Sequence, residues 1–220
     1  MNPYELAWNA SRTRISELIR ATPLERLEQI APLTPAWRIR DIVAHLVGVS
    51  QDISAGNFPK NFDEWTAAQV DRLRDTDAHQ LVERWAEYSL GASLSESLAI
   101  AIFDQVTHEA DIFHALGVPT SIDDETMDLL VRFTLNRFDA TKNDLAVALH
   151  LDGEMWRIGE GPQPLSLIGS RFEWFRASSG RRSANQIRLM SWQGDVDVIE
   201  LLFGSRFFVP AQSDVEEFTK

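Results

Sequence analysis

Two side chains in the segment 97–117 have the types and the spacing that suit a metal ion, and a third follows closely. Asp104 and His108 are four residues apart, and Asp111 comes one turn later. Residues three or four positions apart share one face of a helix, so the carboxylate and the imidazole would lie side by side. The segment is apolar on nearly every side, and burying polar groups without partners is costly. A bound divalent metal ion or an internal hydrogen bond between Asp104 and His108 would satisfy the pair, and the spacing leaves both open.

His45 is a further candidate, in a helix predicted over 38–55. It lies at the edge of an apolar stripe, three residues after Ile42 and four before Val49. A lone histidine at such a position is more often a core residue with satisfied hydrogen bonds than a metal ligand. Asp41, one turn earlier, is expected to orient its ring.

Five arginines and no lysine lie between positions 171 and 188, in a chain whose formal net charge is -12. A guanidinium group binds a planar carboxylate through two parallel hydrogen bonds, so such a cluster is typical of a carboxylate site. The alternative is a solvated helix face whose arginines pair with acidic residues of the chain. The five are Arg171, Arg176, Arg181, Arg182 and Arg188.

The composition excludes several classes of function. The acidic surplus argues against a general surface for nucleic acids or anionic membranes. The 220 residues include no cysteine, which excludes disulfides and thiolate metal sites, so any thiol chemistry would need a thiol from outside. The first 21 residues are charged and amphipathic, unlike a signal peptide, and the apolar runs are too short to span a bilayer. We therefore expect a cytoplasmic protein.

Helices are expected to position the candidate ligands. Apolar residues recur with helical spacing in the first part of the chain. The predicted helices cover 3–21, 38–55, 61–74, 77–92, 97–117 and 121–143. Thr34, which precedes Pro35, is expected to cap the start of the second of these.

The periodicity changes near residue 144. Alternating apolar residues predict strands, with a hairpin turn at Asp152-Gly153. Capping boxes at Ser170 and Ser183 then predict two short helices. We expect a helical bundle over 1–143 and a small α+β domain over 144–220.

Three parts of the sequence resemble the mycothiol-dependent maleylpyruvate isomerase family of the DinB-like superfamily. They are WRIRDIVAHLV at 37–47, DQVTHEAD at 104–111, and GRRS at 180–183 together with WQGD at 192–195. The likeness runs through most of the chain in order. It implies a mainly α protein, with an N-terminal up-down four-helix bundle of DinB-like type followed by a small α+β domain.

The resemblance also implies a metal site formed by His45, Asp104 and His108. The metal of the family is usually zinc, and nickel is the alternative. Aspartate at 104 departs from the more usual glutamate, and its shorter side chain would place the metal nearer the helix or bind it more weakly. Three protein ligands leave a coordination position open, as in catalytic rather than structural zinc sites. Asp111 is then a candidate partner of a ligand histidine, or has a purely structural role.

The implied activity is that of an enzyme that activates an exogenous low-molecular-weight thiol such as mycothiol. It would isomerise a small cis dicarboxylate of the maleylpyruvate type, or transfer the thiol to a small electrophile. Arg181 is the expected catalytic contact for a carboxylate, with Arg182 and Arg176 as further substrate-binding residues. The protein would be a monomer or a homodimer. A metal-water hydrolase and a non-catalytic, metal-stabilised binding or regulatory protein are the alternatives.

Overall fold

The structure is a computed structural model that describes residues 2–58, 61–90, 94–139, 145–195, 197–203 and 209–217. The chain divides into two compact units, one with residues up to Ile122 and the other with Asp123–Glu217. The described part is mainly α-helical with one four-stranded sheet, so the predicted fold class is confirmed. No helix in these ranges is long and apolar enough to cross a membrane.

Helices make up the first unit, and they lie close to the predicted positions. A 3₁₀ turn, Glu96–Leu98, precedes the last of them. The helices are α1 Pro3–Ala21, α2 Leu24–Leu27, α3 Ile39–Ser54, α4 Phe62–Arg72, α5 Ala78–Ala86 and α6 Ala99–Leu116. Helix α1 packs on α5 and α6, while α3 packs on α4, α5 and α6. Helix α3 therefore contacts three other helices of this unit.

The core of the first unit is apolar and fully buried. Ile15 of α1, Ile42 and Leu46 of α3, and Ile112 of α6 belong to one cluster and have no exposed surface. Removal of this apolar area from water is the main force that holds the helices together. A buried hydrogen bond adds direction, because the indole nitrogen of Trp85 in α5 donates to Ser50 of α3 at 2.7 Å.

The start of α3 differs from the prediction. Thr34 does not cap the helix, because residues 34–37 form a turn in which the Trp37 N–H donates to the Thr34 carbonyl at 2.9 Å. The helix begins at Ile39, and Arg38 is the capping residue. Its backbone N–H donates to the Asp41 carboxylate at 3.1 Å, which satisfies a group that a helix start otherwise leaves open.

The second unit combines one long helix, a sheet and three short helices. These are α7 Asp124–Asp139, β1 Val147–Leu151, β2 Glu154–Ile158, β3 Leu165–Gly169, α8 Arg171–Ser178, α9 Ala184–Arg188, β4 Ser191–Gln193 and α10 Val198–Leu202. The strand order is β2-β1-β3-β4, with β1 parallel to β3 and the other neighbours antiparallel. The turn at Asp152-Gly153 and the caps at Ser170 and Ser183 are confirmed.

Helix α7 belongs to the second unit rather than to the helices before it. It packs on α8 and β2, and the indole nitrogen of Trp174 donates to Thr134 at 2.9 Å. The ring of Phe138 also packs on Trp174. The compact units therefore divide at 122/123, one helix before the change from helical to strand periodicity. Positions 143 and 144, where the sequence places the domain boundary, lie outside the described residues.

Candidate metal centre

His45, Asp104 and His108 come together between α3 and α6. One potential ligand atom of each lies within 4.8 Å of those of the other two. The distance from His45 Nε2 to Asp104 Oδ2 is 3.0 Å, and from His108 Nε2 to Asp104 Oδ1 it is 3.6 Å. The structure thus brings together the three residues that the sequence predicts as ligands.

Burial differs among the three side chains. Both imidazoles are buried, whereas the side chain of Asp104 is 34% exposed. The ring of Trp37 packs on both imidazoles, at centroid distances of 5.2 Å from His45 and 5.6 Å from His108. The group is therefore fixed on its protein side and accessible to solvent at Asp104.

The side chain of Gln69 in α4 is hydrogen-bonded to the other ring nitrogen of His45, Nδ1. The distance from His45 Nδ1 to Gln69 Oε1 is 2.8 Å, and the Gln69 side chain is fully buried. The Gln69 amide donates in turn to Asp52 of α3 at 2.8 Å. Asp52 also accepts hydrogen bonds from Asn57 at 3.0 Å and Arg72 at 3.2 Å.

The prediction that Asp41 orients His45 is wrong. The Asp41 carboxylate accepts hydrogen bonds from Arg38 and Arg40 instead. Burial alone raises the pKa of Asp41, but these hydrogen bonds and positive charges outweigh burial and hold the pKa below its ordinary value. The carboxylate is one turn before His45, yet it faces the start of the helix, where two guanidinium groups attract it.

Asp111 holds the second nitrogen of His108. The Nδ1–H of His108 donates to Asp111 Oδ2 at 3.1 Å. Asp111 is fully buried, and the Thr34 hydroxyl donates to the same oxygen at 2.9 Å. Thr34 thus serves this carboxylate rather than the helix start. Asp111 has the contact that the sequence predicted, and its part in metal binding stays a prediction.

The environment of His45 favours its protonated form. Burial alone lowers the pKa of His45, but the charge of Asp104 and the hydrogen bonds to Asp104 and Gln69 outweigh burial and raise the pKa. Both ring nitrogens face oxygen atoms. A cation between Nε2 and Asp104 would take the place of the proton there.

The donor set fits a divalent transition metal. Two imidazole nitrogens and a carboxylate oxygen are ligands that zinc and its neighbours accept. Ligating histidines almost always donate their other ring N–H to an oxygen, and both His45 and His108 have such a partner. The three residues therefore match a site with three protein ligands.

Sequence reasoning missed Gln69, Asp52 and Gly48. A Cβ atom at Gly48 would lie 2.6 Å from Cβ of Gln69, so the glycine lets α4 approach α3. Gly48 and Asp52 lie three and seven residues after His45, and both share its helix face. That spacing was available in the sequence, whereas Gln69 reaches His45 only through the packing of a separate helix.

Two of the predicted substrate-binding arginines pair with internal carboxylates. Arg176 is fully buried and donates to Glu217 at 2.9 Å. Arg182 donates to the same Glu217 oxygen at 2.8 Å and holds both oxygens of Glu173, at 2.7 and 2.9 Å. Through Glu217, these side chains connect the segment 209–217 to α8 and the residues that follow it. Their role in substrate binding stays a prediction.

The other three arginines of the cluster also have partners within the second unit. Arg181 is half-buried and donates to the Ser179 carbonyl at 2.7 Å. Arg171 and Arg188 pair with aspartates, as the interpretation of a charged helix face predicts. Their partners are Asp124, Asp128 and Asp152 for the first, and Asp197 for the second.

Comparisons with known proteins give similarity at the level of structure. No protein-family profile matches the sequence, and no curated protein matches it. Two solved structures that match are those of a mycothiol-dependent maleylpyruvate isomerase and of a histidine-to-alanine variant of such an enzyme. Their TM-scores are 0.53 and 0.54, with 16% and 14% identity.

The structural match covers most of this chain and most of each solved chain. Each match covers 82% of this chain and 90% of the solved chain, which is more than either compact unit contains. At this level of identity the likeness establishes the fold, and the order of helices and sheet agrees with what the sequence predicts. The chain therefore shares the fold of a solved mycothiol-dependent maleylpyruvate isomerase.

Proposed function

We propose that the protein is a metal-dependent enzyme that uses an exogenous low-molecular-weight thiol. Its reaction is the cis-trans isomerisation of a small unsaturated dicarboxylate or the transfer of the thiol to a small electrophile. The observation that carries the proposal is the convergence of two anchored imidazoles and one carboxylate in this fold. A thiol-dependent isomerase with the same fold supports the choice of reaction.

Zinc is the proposed metal, nickel the alternative, and His45, Asp104 and His108 the residues that hold it. When bound, such an ion lowers the pKa of a thiol at its open position and so supplies a thiolate at neutral pH. The chain has no cysteine, so the thiol must be a separate molecule such as mycothiol.

The side chains around the ligands have separate tasks. Gln69 and Asp111 fix the two imidazole rings through their second nitrogens. Trp37 packs on both rings and limits their rotation. Because Asp104 is the exposed member of the group, the thiol is expected to approach from its side.

The isomerisation needs no net consumption of thiol. A thiolate adds to one carbon of the cis double bond, the new single bond rotates, and elimination of the thiolate gives the trans product. A transfer reaction would instead retain the sulfur in the product. The thiol consumed per turnover therefore distinguishes the two activities, with none expected for the isomerase.

Arg181 is the proposed contact for a substrate carboxylate, and Arg182 and Arg176 are proposed as further contacts. We rank Arg181 first because it belongs to the Gly-Arg pair at 180–181 that matches the family, and because its side chain is only half-buried. Arg181→Gln is expected to raise KM for a dicarboxylate at least about tenfold, since a charged hydrogen bond contributes roughly 1.5–3 kcal/mol. Steady-state kinetics measure this, with Arg188→Gln as the control, and an unchanged KM would remove Arg181 from the site.

Removal of one ligand tests the proposal as a whole. His108→Ala is expected to abolish metal uptake and thiol-dependent turnover together, because two protein ligands remain. Elemental analysis and an isomerase assay with and without added thiol measure both quantities. His150→Ala, on an exposed position of β1, is the control and should change neither.

Two results would contradict the proposal. Turnover that survives complete loss of metal would exclude the metal from the reaction. Turnover that needs metal but no thiol would instead indicate a hydrolase in which a metal-bound water is the nucleophile.

A further inference from the structure

We propose that Asp52, acting through Gln69, fixes the tautomer of His45 so that Nε2 faces the metal position. The inference rests on the metal-binding part of the proposed function. Asp52 and Gln69 are thereby positioning residues, because neither lies among the three ligands.

The neighbours of the Gln69 amide permit only one orientation of it. Its Nε2 lies 2.8 Å from an oxygen of Asp52, and its Oε1 lies 2.8 Å from Nδ1 of His45. With the amide turned over, two oxygen acceptors would face each other at this distance. The carboxylate of Asp52 therefore determines which end of the amide His45 meets.

Asp52 carries a negative charge that its hydrogen bonds stabilise. Burial alone raises its pKa, but hydrogen bonds from Gln69, Asn57 and Arg72 outweigh burial and hold the pKa below its ordinary value. Asp52 is therefore a carboxylate that only accepts hydrogen bonds. Three donors fix its position, so the amide orientation is fixed as well.

The orientation of the Gln69 amide determines which nitrogen of the His45 ring carries a hydrogen. Because Oε1 of Gln69 can only accept, Nδ1 of His45 must carry a hydrogen and donate it. In the neutral ring the lone pair is then on Nε2, the atom that lies 3.0 Å from Asp104. When the proton between Nε2 and Asp104 leaves, the lone pair is therefore on Nε2, the nitrogen that faces the metal position.

The two ligand histidines are thus supported differently. His108 donates directly to the carboxylate of Asp111, while a neutral amide separates His45 from the carboxylate of Asp52. The arrangement keeps a second negative charge out of direct contact with the His45 ring.

Zinc affinity tests the proposal without reference to activity. Dissociation constants are measured by competition with a chromophoric chelator. Gln69→Leu is expected to weaken zinc binding by about 10- to 100-fold, the range typical of lost outer partners. Asp52→Asn is expected to weaken binding less, because an amide at position 52 permits either orientation of Gln69.

The exchanged pair is the decisive variant. In the double variant Asp52→Asn with Gln69→Glu, the new amide donates to the new carboxylate, which accepts the Nδ1–H of His45. Zinc affinity is expected to return to near that of the unmodified protein. Ser50→Ala, which removes a buried hydrogen bond of α3 outside this chain of contacts, should lower stability and leave affinity unchanged.

Several results would overturn the inference. One is an unchanged zinc affinity in the Gln69→Leu variant. Another is a double variant that binds zinc no more tightly than the Asp52→Asn variant does. The comparison of the double variant with Asp52→Asn decides the matter if Gln69→Leu does not fold.

Long-range ¹H–¹⁵N spectra of the zinc-loaded protein give a second test. They should show the His45 proton on Nδ1, and a proton on Nε2 would overturn the inference. If the unmodified protein binds neither zinc nor nickel, both the proposed function and this inference are contradicted. If it binds zinc and the variants bind zinc equally well, only this inference is contradicted.

Discussion

Asp104 is the residue at which the candidate metal centre meets solvent. Its side chain is one carbon shorter than the glutamate usual in the family that the sequence resembles. Its two oxygens nonetheless lie 3.0 Å from His45 and 3.6 Å from His108. The carboxylate therefore faces both imidazoles in spite of the shorter side chain. The remaining exposure puts part of the carboxylate in contact with solvent.

Asp41 gives a prediction about stability and pH. Its folded-state pKa lies below the reference value of 3.8, so its stabilisation is present above pH 3.8 and is lost as the pH falls through the folded value. Asp41→Asn is expected to lower the free energy of unfolding at pH 7 by about 1–3 kcal/mol, because charged hydrogen bonds to Arg38 and Arg40 are lost.

Chemical denaturation of metal-free protein at several pH values measures this effect. The difference between Asp41→Asn and the unmodified protein should shrink as the pH falls below 3.8, because Asp41 of the unfolded chain then binds a proton before Asp41 of the folded protein does. Asp71→Asn changes an exposed carboxylate and is the control. An equal difference at both ends of the pH range would show that the charge of Asp41 does not contribute.

At the scale of elements, the close approach of α3 and α4 determines whether Gln69 reaches His45. Gly48 is the point of closest contact between these helices. The sequence alone predicted both helices from their apolar periodicity, but it could not predict the contact. Which face of α4 meets α3 depends on packing between segments that are far apart in sequence.

Gly48→Ala tests this approach. In the exposed interior of a helix, replacing glycine by alanine usually stabilises the helix by roughly 1 kcal/mol. Here the added methyl group would overlap Gln69, so we expect the opposite sign, a loss of about 1–3 kcal/mol. Zinc affinity is expected to fall as well, since Gln69 must move away from His45.

Urea denaturation and the chelator competition measure these two effects. Gly169→Ala is the control, because a Cβ atom there would meet nothing within 4 Å and the residue has an ordinary φ. A Gly48→Ala protein that is more stable and binds zinc normally would show that the two helices tolerate a wider separation.

Elements that depend on local contacts could be predicted from the sequence, whereas contacts between distant segments could not. Long helices and the Asp152-Gly153 turn depend on local periodicity and turn chemistry, and they were predicted. The ligand trio came from a local i, i+4 pair and a family resemblance that supplied His45. The short elements β4 and α10 were not predicted, because β4 has only three residues and α10 is a helix of little more than one turn. Helix α5 ends at Ala86 rather than near 92.

At the scale of the molecule, the fold likeness and the candidate centre support each other. A chain with 14–16% identity to the solved isomerase structures keeps their fold over 82% of its length. Within its first unit it brings two histidines and an aspartate within 4.8 Å. The arginine cluster of the second unit is largely neutralised by carboxylates of that unit, which suits a chain of net charge -12.

The central claim is that a thiol from outside binds a metal held by His45, Asp104 and His108. The most direct test is the absorption spectrum of the cobalt(II)-substituted protein during titration with a small thiol. Because the chain contains no cysteine, any sulfur-to-cobalt charge-transfer band must come from the added thiol. We predict that this band appears and saturates in the unmodified protein and is absent in His108→Ala. A cobalt-loaded protein whose spectrum does not change at saturating thiol would contradict the account.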